Sequence, residues 1–324
     1  MKIDAVIFGA SGYGGGELLR WLSTHPNVAS IRGTSRSRAG KPFWDTHPNL
    51  RGVVDGTFEA EIDWKSLGTS EQTVVFSALP HGELAKTLPS LEKSWPNERL
   101  LLVDLSTDFR ASPDFVYGLP EWNREAIRGA KRIASAGCFA TALQLGLLPL
   151  RGLDVGFIAA TAVTGSSGSG ASASATTHHP ARANDFRAYK ILAHQHMAEV
   201  TAAMKACDIN GSLSFVPQSG PFVRGIFATL QFAPPAKVDL NALAAEAFAG
   251  SPFVRLVEDS PRISAVVGSN FADVGIVEGE GSAAIMVALD NLGKGMASQA
   301  VQSMNIALGL PETTGLWTPG RFPA

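Results

Sequence analysis

Asp4-Ala5-Val6-Ile7-Phe8-Gly9-Ala10-Ser11-Gly12-Tyr13-Gly14-Gly15-Gly16-Glu17-Leu18-Leu19 lies at the start of the 324-residue chain and decides its fold class. Asp4–Phe8 reads as a first strand, and Leu18, Leu19 and Leu22 follow at helical spacing. Between them Gly9, Gly12 and Gly15 stand in a G-x-x-G-x-x-G pattern. Residues without Cβ atoms let the chain turn tightly and let a pyrophosphate reach the free N–H groups of the helix. Alone the pattern also fits a plain turn. In a strand–turn–helix context at the head of the chain it predicts a dinucleotide cradle at Gly9, Gly12 and Gly15.

Ser35 lies twenty residues beyond Gly15, where an acid would grip an NAD ribose. The chain has Thr34-Ser35-Arg36-Ser37-Arg38 there, with no acid. Two hydroxyls and two arginines suit the 2′-phosphate of NADP, against the plainer reading of a solvated basic turn. Further apolar runs at Ala29–Gly33, Thr73–Ala78 and Leu100–Leu105 alternate with helical patterns, which predicts a parallel sheet covered on both faces. Beyond about residue 150 the alternation stops. Gly156–Val163, Gly225–Phe232 and Ala283–Leu289 read as strands of an antiparallel or mixed sheet. The small-residue run 164–175 reads as a linker or as a loop close to a site, and Met296–Leu308 as a helix returning to the first domain. The expected division is a Rossmann-type α/β domain at 1–137 plus 296–324 and an α+β domain at 138–295.

Composition narrows the function. At ~150 residues per domain the length suits two domains. With 27 Lys+Arg, 29 Asp+Glu and a formal charge of −2, no global field is present to grip nucleic acid. No apolar run approaches the ~18–20 residues that span a membrane, and the first run is too short for a signal peptide. Two cysteines, Cys138 and Cys207, exclude a disulfide framework and suit the cytoplasm.

Cys138 follows Gly137 where a helix is expected to begin, and a helix N-terminus favours the thiolate, so Cys138 is the candidate nucleophile. Cys207 reads as structural. His194-Gln195-His196-Met197-Ala198-Glu199 and His178-His179 hold four of the seven histidines. The spacing is that of no zinc quartet, so no metal site is expected. An imidazole is instead the natural partner for an oxygen gaining charge. Arg110, in Asp104-Leu105-Ser106-Thr107-Asp108-Phe109-Arg110, leaves a strand at the ligand end of the sheet, where it could hold an anion or form a surface ion pair. The serine-rich loop lacks the G-x-S-x-G of a nucleophile elbow.

Several of these stretches, with Tyr117-Gly118-Leu119-Pro120-Glu121, Ala136-Gly137-Cys138-Phe139-Ala140-Thr141, Val223-Arg224-Gly225-Ile226, Gly268-Ser269-Asn270-Phe271 and Asp290-Asn291-Leu292-Gly293-Lys294-Gly295, occur in one order along the chain. Through them the chain resembles the N-acetyl-γ-glutamyl-phosphate reductase family. The resemblance implies a fold like that of aspartate-semialdehyde dehydrogenase, with residues 138–295 catalytic and oligomerising, a homodimer or homotetramer, and NADPH-dependent reduction of an acyl phosphate to a semialdehyde. It makes Cys138 the nucleophile and His194 the acid–base group, with His196 and Glu199 supporting it. It further implies substrate binding by Arg110 and Arg224, and cofactor contacts from Ser11–Gly14, Ser35–Ser37 and Asn291.

Ala136, Gln195 and Ala198 depart from the commoner pattern, and His178-His179-Pro180-Ala181-Arg182 and the alanine at 198 look more like the lysine-pathway branch. That branch reduces 2-aminoadipate 6-phosphate, or its glutamyl counterpart, on a small acidic amino-group carrier protein. Arg182, Arg187 and Lys190 would offer such a carrier a basic edge. The rivals are a phosphorylating dehydrogenase for another acyl phosphate, such as aspartyl phosphate, and a non-catalytic NADP sensor.

Overall fold

The computed structural model describes residues 1–67, 70–95 and 99–323. Two compact units emerge: Met1–Ala136 with Met296–Trp317, and Gly137–Gly295 with the tail from Thr318 onward. The expectation that all of 296–324 joins the first unit is corrected at this tail, where the Arg321 N–H donates to the Val267 carbonyl at 2.9 Å.

The first unit is built on seven strands: β1 (Ile3–Phe8), β2 (Val28–Thr34), β3 (Phe58–Glu59), β4 (Gln72–Ser77), β5 (Leu100–Asp104), β6 (Val116–Gly118) and β7 (Arg132–Ser135). Their order is β3-β2-β1-β4-β5-β7-β6, and the pairings are parallel. Every residue of β1 and β5 is buried, as expected of strands covered on both faces. The chain leaves β1 to one side for β2 and later to the other for β4, so the switch point lies at the carboxyl end of β1, where such sheets take ligands. The helix Ser298–Ala307 is buried along its whole length in this unit.

The second unit carries β8 (Asp154–Thr164), β9 (Arg187–Ala188), β10 (Asn210–Ser219), β11 (Ile226–Phe232), β12 (Val254–Val257), β13 (Ala272–Gly279) and β14 (Ser282–Leu289), in the order β12-β13-β14-β11-β8-β10-β9. The sheet is mixed: β8 with β10 and β12 with β13 are parallel, the other pairs antiparallel. Period-2 alternation gives it two different faces. Ile158, Ala160, Leu230, Ile285 and Val287 are buried on one. The helix Cys138–Leu147 lies against that face, where a Cβ at Gly146 would meet Leu230 Cδ1 at 2.8 Å. On the other face Thr161, Thr229 and Met286 stand side by side in register, and Phe157 and Val277 are more than half exposed. No helix among the described residues is long and apolar enough to cross a membrane.

Candidate active site

Two turns carry the candidate chemistry, one in each unit. In the first unit β1 runs into Gly9-Ala10-Ser11-Gly12 and the helix Tyr13–Ser23. The turn is packed so closely that a Cβ on Gly15 would lie 2.5 Å from the Ala10 Cα. Only glycine lets the helix start against the strand in this way, which is the fit a dinucleotide turn requires. Ser11 Oγ and Ser35 Oγ hydrogen-bond at 2.8 Å, and Ser37 Oγ stands 3.5 Å from Ser35 Oγ, a row of hydroxyls joining the ends of β1 and β2. Arg36 and Arg38 are exposed on the 3-10 turn Arg36–Arg38, and Arg38 lies 3.6 Å from the Asp45 carboxylate. Tyr13 is exposed at the first helical position.

Arg110 is half-buried after β5. Its Nε donates to the Ser135 carbonyl at 2.9 Å and its Nη2 to the Leu105 carbonyl at 3.3 Å, tying the ends of β7 and β5.

In the second unit Cys138 is the first residue of the helix Cys138–Leu147, with Gly137 as its extended N-cap. The Gly137 N–H donates to Glu199 Oε2 at 3.0 Å. Glu199 therefore holds the turn that presents the sulfur. A Cβ at Gly295 would stand 2.9 Å from the Cys138 Cβ, so residue 295 has to be glycine for the thiol to sit there. Cys138 is half-buried, and Cys207 is buried, with its thiol pushed up by burial.

His194 is 5% exposed and ringed by aromatic edges: Phe139 at 5.3 Å, Phe215 at 5.8 Å, Tyr189 at 5.9 Å and His196 at 4.6 Å between centroids. Phe139 adjoins Cys138 in sequence, which brings the imidazole to the cysteine end of the helix. Burial, with the Lys190 ammonium second, pushes the His194 pKa down to about 4. The His196 backbone N–H donates to His194 Nδ1 at 3.2 Å. A neutral ring that accepts at Nδ1 carries its proton on Nε2. His196 thus fixes the tautomer through its backbone N–H.

Asn291 is buried, its Oδ1 accepting from the Gly225 N–H at 2.7 Å and its Nδ2 donating to Ser167 Oγ at 2.9 Å. It pins the start of the serine-rich loop at Ser167, while residues 168–175 are exposed. Arg224 pairs with the buried Asp290 at 2.8 Å. The expected basic edge shrinks: Arg182 is buried, donating to Ser219 Oγ and to the Gly220 carbonyl. Arg187 and Lys190 remain exposed, near Asp185 and Gln195 respectively. Among the described residues no group of three or more His, Cys, Asp or Glu side chains is arranged to hold a metal ion.

Tyr189 is the site residue that sequence reasoning missed. Burial and then the Cys138 charge push its phenol upward, so it stands protonated near the sulfur. Lys190 and Leu192, on either side of Ile191, hold left-handed backbone at φ 45° and 58°. Non-glycine residues in that region cost energy and gather at functional sites. No periodicity marks Tyr189; its place depends on those two strained residues.

A glycine turn at a parallel-sheet switch point and a cysteine at a helix start beside a buried histidine define a dinucleotide-dependent oxidoreductase of the semialdehyde dehydrogenase class. The family described as semialdehyde dehydrogenase, NAD binding domain, matches residues 4–130, and the one described as semialdehyde dehydrogenase, dimerisation domain, matches residues 138–291. The chain is 38% identical to the N-acetyl-gamma-glutamyl-phosphate reductase of Methanopyrus kandleri, over 98% of each chain. It is 39% identical to a putative [LysW]-L-2-aminoadipate 6-phosphate reductase of Thermomicrobium roseum, over the full length of both. The fold is similar to that of aspartate semialdehyde dehydrogenase II from Vibrio cholerae, with a TM-score of 0.76 at 19% identity over 95% of this chain and 99% of that one. The chain belongs to the N-acetyl-γ-glutamyl-phosphate reductase family.

Proposed function

We propose that the protein reduces the acyl phosphate of an N-blocked acidic amino acid to its semialdehyde with NADPH, through a thioester on Cys138. The observation that carries this reading is the sulfur at the first position of a helix whose preceding amide is held by Glu199, with Phe139 packed on His194. The Cys138 thiolate attacks the acyl carbon; the carbon–oxygen bond to phosphate breaks, and phosphate departs with the electron pair. Bound NADPH supplies the hydride that reduces the thioester. The oxygen that then carries negative charge is held by the N–H groups at the helix start and by the His194 Nε2–H. Collapse re-forms the carbonyl, breaks the carbon–sulfur bond and returns the thiolate. A neutral His194 serves as a hydrogen-bond donor throughout, because the thiolate is its own leaving group. Gly9, Ser11, Gly12, Gly14 and Gly15 would hold the pyrophosphate, Ser35, Arg36, Ser37 and Arg38 the 2′-phosphate. Arg110 and Arg224 would meet the substrate's anionic groups.

The stretch His178-His179-Pro180-Ala181-Arg182 and the alanine at 198 favour a carrier-linked substrate over a free N-acetylated one; the likeness to the Thermomicrobium roseum protein, 39% against 38% for the Methanopyrus kandleri reductase, is compatible with either. The open face of the mixed sheet, in the region matched by the dimerisation family, is the surface through which two copies would pair. The test is phosphate-dependent NADP reduction with N-acetylglutamate semialdehyde, carrier-linked 2-aminoadipate and glutamate semialdehydes, and aspartate semialdehyde side by side. The carrier-linked compounds should turn over fastest. Turnover of aspartate semialdehyde alone would overturn the reading.

A further inference from the structure

Between β2 and β3 the chain makes a long excursion, residues 35–57, that covers the outside of the glycine turn. Its fold is fixed by an aromatic wedge: Phe43 and Phe58 are buried and meet edge to face at 5.0 Å, and His47 meets Phe58 at 6.2 Å. His47 itself is 8% exposed, and its Nε2 lies 2.8 Å from the Ala10 carbonyl oxygen. A carbonyl can only accept, so Nε2 carries the proton. The opposite edge of the ring lies over the first turn of the helix Tyr13–Ser23, where a Cβ at Gly16 would stand 2.6 Å from His47 Cε1 and Nδ1. Burial holds the imidazole below its ordinary pKa and so neutral.

Ala10 is thus tied at both ends. Its N–H donates to the Thr34 carbonyl at 2.9 Å, and its carbonyl accepts from His47. In a trans peptide the carbonyl and the next N–H point in opposite directions. Fixing the Ala10 carbonyl toward His47 therefore fixes the Ser11 N–H away from it, out of the turn. We propose that His47 is a positioning residue for cofactor binding: by holding the Ala10 carbonyl it aims the Ser11 N–H at the pyrophosphate of the dinucleotide. The assignment rests on the reading of the glycine turn as the NADPH site.

His47→Ala leaves the Ala10 carbonyl without its donor and frees the peptide to rotate. His47→Gln keeps an amide N–H close to the place of Nε2. Leu50→Ala removes a buried side chain from the same excursion while keeping the His47 imidazole, and so reports on loop stability. NADPH dissociation constants are measured by protein fluorescence quenching for the native enzyme and the three variants, alongside kcat at saturating NADPH and melting temperature. His47→Ala should bind NADPH roughly ten-fold more weakly, the size of one hydrogen bond lost to a buried carbonyl, with kcat within two-fold. His47→Gln should recover most of the affinity, and Leu50→Ala should lower the melting temperature with affinity unchanged. Native-like NADPH binding by His47→Ala overturns the proposal, as does equal weakening in all three variants. A native enzyme that does not bind NADPH would instead overturn the cofactor reading, and the proposal with it.

Discussion

The glycine turn and the cysteine turn use one backbone device for two purposes. In each, a buried strand ends, a glycine N-cap in extended conformation follows, and a helix begins: Gly12 at φ −80° and ψ 170°, Gly137 at φ −68° and ψ 150°. Neither glycine cap makes a side-chain bond to its helix. A serine or aspartate at the cap would ordinarily bond the first-turn N–H groups itself. On the proposed reading the first turn takes an anion from outside, a pyrophosphate. At the second the chain brings its own, the sulfur of Cys138. The groups behind the turns differ in sign to match: an imidazole N–H on the Ala10 carbonyl, a carboxylate on the Gly137 N–H. Each fixes one peptide, and a fixed peptide is what allows a helix start to favour one anion in one place.

The comparison is broken most sharply at the sulfur. Cys138→Ser leaves the turn intact and replaces a polarizable thiolate by a hydroxyl that stays protonated near neutral pH. Turnover should fall by at least about 10³-fold, while NADPH binding, which belongs to the other turn, should be unchanged. Single-turnover NADPH oxidation and fluorescence titration measure the two quantities. If a tenth of the rate survives, the second turn is an anion site like the first and the thioester route is wrong.

How much of this could be read from the sequence follows the same division. The parallel sheet was legible because buried parallel strands are continuous apolar runs: Thr73–Ala78 and Leu100–Leu105 fall within a residue of β4 and β5. β10 was not, because Asn210-Gly211-Ser212-Leu213-Ser214 has too few apolar residues to signal a strand; its ten-residue pairing with β8 is a tertiary effect. At the site, Cys138 and the glycines were visible because helix starts and tight turns demand particular residues. The tasks of Glu199 and His196 were not visible, since each works through a backbone N–H whose direction no spacing encodes. Tyr189 and Arg182 stayed hidden for a related reason: an exposed-looking stretch, 176–193, doubles back on β10 and buries part of itself.

His194 sharpens the second turn. With its pKa near 4 it is uncharged over the working range, so the acid limb of kcat should lie near pH 4 and not near 6.5. His194→Ala should lose about 10²–10⁴-fold in kcat. An acid limb at 6.5 that the substitution abolishes would show that the charged imidazole is the working form. Stability gives an independent reading of the same shift. Between pH 6.5 and about 4 the unfolded chain binds a proton at this residue that the folded chain does not, so the fold weakens as pH falls through that window. His25 and His47, held low by burial, act in the same direction. In urea titrations from pH 7 to 4.5, His194→Gln should therefore lose stability less steeply than the native protein. An unchanged slope would mean that His194 is not held neutral.

The smallest effect tests what the first turn takes from outside. Arg36→Ala with Arg38→Ala removes two exposed guanidinium groups and no packing. Charge-assisted bonds to a phosphate are worth more than neutral ones, so NADPH should weaken roughly ten- to hundred-fold and NADH by less than about three-fold. The two arginines are not equivalent. Arg38 faces Asp45 at 3.6 Å, with both side chains well exposed; such a pair is worth little and is lost readily to a dianionic phosphate. Asp45 nonetheless places a negative charge near any phosphate that Arg38 holds. Asp45→Ala should therefore tighten NADPH a few-fold at low salt and leave NADH alone, with the gain shrinking as ionic strength rises. If Asp45→Ala tightens both cofactors equally, or the double arginine substitution weakens both equally, the hydroxyl-and-arginine end of β2 does not read the 2′-phosphate.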